Sequence, residues 1–165
     1  MAGFEIQKSS KKKRHEGATQ TSGDALAKIA IYHHTRGDLK NAEKNYRKAI
    51  NTGCSDHAVF LNLGVICKNS GRPEEAIFLY LKAIELSPIH PDAYLNLGNL
   101  YTELGNLDQA LASTLKSLEF SPDNPDVHMN LGGIYQDLGN LDQALASTLK
   151  SLELKPDNPT AHMNL

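Results

Sequence analysis

The stretch LGNLDQALASTLKSLE at residues 104–119 decides the fold, because it recurs without a single change at residues 138–153. The similarity extends beyond this run, and residues 91–124 match residues 125–158 at 25 of 34 positions. A fixed period of this length is typical of a solenoid, in which copies of one small unit stack in a row. The chain is therefore predicted to be an array of repeats rather than a single globular core.

Two further units precede these copies in the same register. Residues 57–90 share 11 identities with residues 91–124, and residues 23–56 form a more divergent first unit. A fifth unit begins at residue 159 and stops at Leu165, before its second half, so we suspect that the chain is incomplete. The predicted array covers residues 23–165, as four complete units and the partial unit 159–165.

Each unit is predicted to form two amphipathic helices. In the third unit, apolar side chains recur at helical spacing before and after a break at Gly105 and Asn106. A helix end favours a left-handed residue that glycine adopts at little cost, and glycine recurs at this point as Gly37, Gly71, Gly105 and Gly139. The gaps are only a few residues long, so successive helices are predicted to lie antiparallel and side by side in an all-α fold.

The starts of the second helices also carry a signal. Asn106 with Gln109, and Asn140 with Gln143, have the spacing of a capping box, in which two side chains bond the free backbone groups of a helix end. We therefore expect these side chains to cap their helices.

The charge is distributed unevenly along the 165 residues. Residues 1–22 carry five basic and two acidic groups in a polar background, which predicts a disordered basic tail. Residues 23–90 have a net charge of +2, and residues 91–165 have three basic and ten acidic groups, a net charge of -7. The whole chain has a net charge of -2, which does not favour a nucleic-acid partner.

A sequence pattern recurs with the period. The third unit has a large aromatic residue, Leu-Gly, Tyr, Ala and Pro at Tyr94, Leu97-Gly98, Tyr101, Ala110 and Pro122. The second unit has Phe60, Leu63-Gly64, Cys67, Ala76 and Pro88 at the same places. This pattern resembles the tetratricopeptide repeat (TPR), a helix–turn–helix unit of the same length. The resemblance implies a right-handed α-solenoid of antiparallel helix pairs, the TPR superhelix.

The resemblance also implies a site. In TPR arrays the first helix of each pair lines a concave groove, to which the second, fifth, sixth, ninth, twelfth and thirteenth positions of a unit contribute. A groove of this kind implies a protein or peptide ligand. The peptide-binding residues it predicts are Leu61, Asn62, Asp92, Leu95, Asn96, Asn99, Asp126, Asn130 and Asn164.

An asparagine row occupies the sixth position of four units, as Asn62, Asn96, Asn130 and Asn164. A side-chain amide offers a donor and an acceptor, so it can pair with the backbone of an extended peptide without recognising its side chains. The row resembles the asparagine ladder in the TPR arrays of O-linked N-acetylglucosamine transferases. The alternative is a structural origin, because Asn96 and Asn130 come from the duplicated units and Asn-Leu-Gly is common in this family.

Acidic side chains are the second feature of the predicted groove. Asp92, Glu103, Asp126 and Asp137 stand at groove positions, which favours a neutral or basic extended segment as the ligand. The alternative is a face that binds no ligand, since acidic residues near helix starts also interact favourably with the helix dipole.

Other functional classes find little support in the sequence. Cys54 and Cys67 have no metal-ligand or disulfide spacing, and the seven histidines are better explained by packing, so we predict no metal and no cofactor. The chain contains no nucleotide-binding or catalytic motif, which predicts that it is not an enzyme. No stretch is apolar enough for a signal peptide or a membrane span, so we expect a cytoplasmic protein without membrane contact.

The predicted function is that of a protein–protein interaction scaffold that binds an extended polypeptide segment in its concave groove. The alternative is that the repeats are the N-terminal substrate-recruiting part of a larger transferase, of the glycosyltransferase or sulfotransferase type. A third hypothesis is self-association through the apolar face at the C-terminal end of the array.

Overall fold

A computed structural model describes residues 22–157, which form eight α-helices joined by short turns and contain no strand. The helices have 13 or 14 residues each, which corresponds to a length of about 20 Å. In chain order they are α1 (Gly23–Thr35), α2 (Leu39–Asn51), α3 (His57–Asn69), α4 (Pro73–Leu86), α5 (Pro91–Glu103), α6 (Leu107–Phe120), α7 (Pro125–Asp137) and α8 (Leu141–Leu154).

The helices pack as four consecutive pairs. Each odd-numbered helix makes its most extensive contacts with the even-numbered helix that follows it, and each even-numbered helix also packs against the next odd-numbered one. In addition, α3 contacts α5, and α5 contacts α7. The prediction of an all-α, right-handed solenoid of antiparallel helix pairs is confirmed.

The interior of the array consists largely of small and aliphatic side chains. The second helices of the first three pairs have an alanine at one shared place, and these alanines, Ala42, Ala76 and Ala110, are fully buried. Aliphatic side chains from the first helices, such as Val59, Leu63 and Ile66, fill the space between neighbouring pairs. The contiguous core extends from Ala27 in α1 to Leu100 in α5, so the stability of a unit depends on its neighbours.

Close contact inside a pair explains the glycines in the middle of the first helices. A Cβ atom at Gly64 would lie 2.5 Å from the ring of Tyr80, and one at Gly132 would lie 2.5 Å from the hydroxyl of Thr148. Such distances leave no room for a side chain. The cost of glycine in a helix is therefore offset by the close approach of two helices.

The helix ends agree with the sequence only in part. The four predicted turn glycines, at 37, 71, 105 and 139, have positive φ angles between 71° and 77°, as expected. The predicted capping boxes are wrong: Asn106 and Asn140 stand at the N-cap positions, but their side chains make no cap hydrogen bond. The backbone angles are not the cause, because Asp38, with a ψ of 69° close to those of Asn106 and Asn140, does accept a cap hydrogen bond from the backbone N–H of Asn41.

An ion-pair network that the sequence did not predict joins the first two units. Arg47 of α2 lies 2.6 Å from Glu75 of α4, and Arg72 in the turn before α4 lies 2.8 Å from Glu43 of α2. The hydrogen bond from Arg72 holds the pKa of Glu43 below its usual value, although partial burial opposes this. Units one and two are thus linked by charges as well as by apolar contact.

Several predictions concern residues outside 22–157. The basic tail, apart from Ser22, and the partial fifth unit with Asn164 lie outside the described residues. The proposed disorder of residues 1–22 and the assignment of residues 159–165 to a fifth unit stay predictions.

Candidate functional site

The candidate site lies on the first helices of successive units. Helices α3, α5 and α7 contact one another in sequence, and each begins 34 residues after the one before it. Equivalent positions therefore form rows that run across the array from unit to unit. A side chain in such a row has its counterparts in the neighbouring helices beside it.

A cavity of about 510 Å³ lies against these three helices, at the end of α3, in the C-terminal half of α5 and along α7 from Met129 to Asp137. Polar groups and a few apolar side chains share its lining. Its lining includes Lys68 of α3, Asn99, Thr102 and Glu103 of α5, and Met129, Asn130, Gly133 and Asp137 of α7. Two residues of the predicted peptide-binding set, Asn99 and Asn130, are among them.

Asn99 and Asn130 are joined across the cavity wall. The Nδ2 group of Asn130 donates a hydrogen bond to Oδ1 of Asn99 over 2.5 Å, and this bond links α7 to α5. An amide has two donor hydrogens and one acceptor oxygen, so the bond leaves Oδ1 of Asn130 and Nδ2 of Asn99 for other partners. The two remaining groups form an acceptor and a donor of fixed spacing.

Asn62 has a different environment, although it occupies the same position in its unit as Asn130. Its side chain hydrogen-bonds the hydroxyl of Tyr46, which also lies 3.2 Å from Nδ1 of His34. Burial raises the pKa of Tyr46 to about 12, and the bond from Asn62 opposes that rise. Asn62 thus satisfies a buried polar group of the preceding unit, and the asparagine row is not uniform.

The other predicted residues stand apart from the cavity. Asp92 and Asp126 are exposed in the first turns of α5 and α7, at the opposite ends of those helices. The remaining three, Leu61, Leu95 and Asn96, are half-buried and do not line the cavity, and Leu61 packs against the core.

The cavity also contains an ion pair that sequence reasoning missed. Nζ of Lys68 lies 2.6 Å from Oε1 of Glu103, so the pair connects the end of α3 to the end of α5. A usable signal was present, because the two residues hold the twelfth and thirteenth positions of adjacent units and these positions lie side by side in a TPR array.

The titratable groups within residues 22–157 suggest no metal site, since no three His, Cys, Asp or Glu side chains there form a cluster that could hold an ion. His33 contacts Asp38 at 3.0 Å, and His128 contacts the carbonyl oxygen of Pro122 at 2.8 Å. Burial raises the pKa of the Cys67 thiol to about 11, which disfavours the reactive thiolate.

In the same part of the chain, none of the helices has the length and apolar character needed to cross a membrane. That the chain is not an enzyme, needs no cofactor, binds no nucleic acid and acts in the cytoplasm stay predictions.

Comparison with protein families identifies the class. Models described as "TPR repeat" and "Tetratricopeptide repeat" match the chain in four places that together span residues 57–158. Two of them coincide with residues 57–90 and 125–158, and the others match residues 79–112 and 98–139. The chain is a tetratricopeptide-repeat protein.

Solved structures have the same fold. YrrB, described as a TPR protein with an unusual peptide-binding site, is 24% identical over 87% of this chain and 74% of its own, with a TM-score of 0.77. MamA is 23% identical over 82% of this chain and 80% of its own, also with a TM-score of 0.77. A tetratricopeptide repeat protein from Parabacteroides merdae is 26% identical over 88% of this chain and 58% of its own, with a TM-score of 0.77.

No match is found among curated proteins. The resemblance of the asparagine row to the arrays of O-linked N-acetylglucosamine transferases stays a prediction, as does the transferase alternative that accompanies it. Self-association through the C-terminal end also stays a prediction.

Proposed function

We propose that this chain is a protein-interaction scaffold that binds an extended polypeptide segment in the groove formed by α3, α5 and α7. The observation that carries the proposal is the hydrogen-bonded pair Asn99 and Asn130 in the wall of a cavity of about 510 Å³. The pair offers a donor and an acceptor at one place, in a row of helices that continues to α3.

Backbone recognition needs both kinds of group. An extended peptide presents an N–H and a C=O at each residue, and these groups give up hydrogen bonds to water when the peptide enters a groove. The pair Asn99 and Asn130 can replace one bond of each kind. Because each amide already holds the other, less side-chain freedom is lost when the ligand binds.

The fold likeness to YrrB supports this use of the groove. YrrB is described as having a peptide-binding site, and its chain superimposes on most of this one. The likeness concerns the fold, so the residues that bind peptide in this chain have to be tested directly.

The test is a titration that compares backbone recognition in wild type and in the double variant Asn99→Ala/Asn130→Ala. The probe is an acetylated and amidated Ala-Ser peptide of about twelve residues, about 40 Å long when extended. Binding is followed by amide chemical shifts of the 15N-labelled protein. With about 0.5 to 1.5 kcal/mol lost per hydrogen bond, we expect the double variant to bind about 5- to 150-fold more weakly.

Two controls make the result specific. Asn45→Ala removes an amide from α2 that bonds only the carbonyl of Asn41, so it should leave the affinity unchanged. The same peptide with alternate backbone nitrogens methylated should bind more weakly, because it lacks those donors. Equal affinities of wild type and the double variant for the unmodified peptide would contradict the proposal.

A further inference from the structure

The ion pair of Lys68 and Glu103 has a counterpart one unit further along the chain. Both residues line the groove, Lys68 from the end of α3 and Glu103 from the end of α5. Thirty-four residues later the same places are held by Thr102 in α5 and Asp137 in α7. The carboxylate is kept in the second place, whereas the lysine is replaced by a threonine.

Asp137 therefore lacks the cation that Glu103 has. It forms no ion pair within residues 22–157, and the hydroxyl of Thr102 donates to the carbonyl oxygen of Gly98, 3.1 Å away. Both Thr102 and Asp137 line the cavity of about 510 Å³. The groove thus contains one neutralised carboxylate and one that is not neutralised, at equivalent places.

Helix stability does not explain the acidic group at this place. Asp137 is the last residue of α7, and the last turn of that helix has no basic residue. A negative charge at a helix C-terminus interacts unfavourably with the helix dipole. In α5 the cost of Glu103 at the same place is offset by Lys68, but α7 has no such compensation.

The cavity has room for a side chain beside Asp137. Gly133 stands in α7 at the place that Asn99 holds in α5, and a Cβ atom built on it would meet nothing within 4 Å. Met129, one turn earlier, adds an apolar surface to the lining. A long side chain with an apolar stem and a cationic end matches this combination of surfaces.

We infer that the groove binds the side chain of a lysine from the partner segment, with its ammonium group at Asp137 in the place that Lys68 takes at Glu103. This inference rests on the proposed function, because the lysine belongs to the extended segment bound along α5 and α7. Charge complementarity favours it, since residues 91–165 have a net charge of -7. Residues 22–157 provide an internal example of the interaction, at 2.6 Å.

The test uses two probes of equal length, the Ala-Ser peptide with one central lysine and the same peptide with one central glutamine. We expect the lysine peptide to bind wild type about two- to fivefold more tightly, the gain typical of a partly exposed ion pair. Its amide shift changes should concentrate in the cavity residues of α5 and α7.

Three variants locate the effect. Asp137→Asn should abolish the preference for lysine, whereas Asp123→Asn makes the same charge change in the turn before α7 and should keep it. Thr102→Lys restores the residue type of the preceding unit, so its own ammonium should occupy Asp137 and also abolish the preference.

The outcomes separate this inference from the proposed function. If the lysine and glutamine peptides bind equally, the lysine site is contradicted, while backbone recognition in the groove stands. If neither peptide binds, both proposals are contradicted. If Asp123→Asn weakens the preference as much as Asp137→Asn does, the effect is a long-range charge effect and the site at Asp137 is wrong.

Discussion

Helices α6 and α8 have the same sequence from Leu107 to Glu119 and from Leu141 to Glu153, yet their surfaces differ. In α6 the first two leucines are half-buried and Leu115 is 39% exposed, whereas Leu141 in α8 is 68% exposed. Leu145 and Leu149 are also half exposed, at 50% and 51%. Identical side chains thus lose different amounts of apolar surface on folding.

Contacts in the first unit show which neighbouring unit covers this row of side chains. In α2 the places of Leu111 and Leu115 are held by Glu43 and Arg47, and these two contact Arg72 and Glu75 of the following unit. This row therefore faces the next unit along the array. Helix α6 packs against α7 of that unit, so burial in this row depends on contact with a neighbouring unit as well as on the sequence of the helix.

Hydrogen exchange offers the sharpest test of this comparison, because identical sequences have identical intrinsic exchange rates. We expect amides of α8 to exchange at least about tenfold faster than their counterparts in α6, which corresponds to about 1.4 kcal/mol less stability against local opening. Native-state exchange followed residue by residue by NMR gives both values in one sample. Equal protection in the two helices would show that stacking contributes nothing beyond the helix pair itself.

A matched pair of leucine truncations should show the same contrast with a smaller effect. A fully buried Leu→Ala change costs about 2 to 5 kcal/mol, so the half-buried Leu111→Ala should cost about 1 to 2 kcal/mol. Leu145→Ala, at the equivalent exposed place, should cost less than about 0.5 kcal/mol.

Urea unfolding monitored by circular dichroism measures both variants. Each removes the same atoms from the same local sequence, so changes in helix propensity and in the unfolded chain cancel. Equal losses of unfolding free energy in the two variants would contradict the difference in burial between the two leucines.

Acid should weaken the first junction of the array, where Glu43 pairs with Arg72. The folded-state pKa of Glu43 lies below its unfolded value, chiefly because of the hydrogen bond from Arg72. Its contribution is therefore complete above the unfolded value of 4.5 and is lost as the pH falls through the folded value. The pairs are partly exposed, so we expect a loss below about 1 kcal/mol.

Glu43→Gln is the variant for this measurement. Its difference in unfolding free energy from wild type should be present at neutral pH and vanish in acid. Leu111→Ala, which changes no charge, should differ from wild type by a nearly constant amount over the same range. A pH-independent effect of Glu43→Gln would contradict the role of the ion pairs.

Most of the fold could be predicted from the sequence because its information is local and repeated. The period of 34 residues, the turn glycines and the apolar stripes each specify a helix or its end within one unit. The predicted capping boxes failed because spacing alone does not fix the side-chain orientation of the N-cap residue: Asn106 and Asn140 make no cap hydrogen bond, whereas Asp38 makes one at nearly the same backbone angles.

The candidate site was less predictable, since its groups come together between units. The sixth position places Asn62 and Asn130 in one row, but their partners, Tyr46 and Asn99, depend on which residues the neighbouring unit presents. The ninth position changes from Ile31 through Val65 to Asn99, so only the last offers an amide oxygen to the asparagine of the next unit. A motif specifies the row, whereas differences between repeats decide the chemistry.

The duplicated run has a consequence for the length of the array. Joining Glu103 to Leu138 would remove 34 residues, yet the junction would read Glu-Leu-Gly-Asn, as it does at residues 103–106. The shortened chain would need no turn, cap or helix contact that the present array lacks. The number of units can therefore change in whole steps, and each step adds or removes one position of every row along the groove while the neighbouring positions keep their sequence.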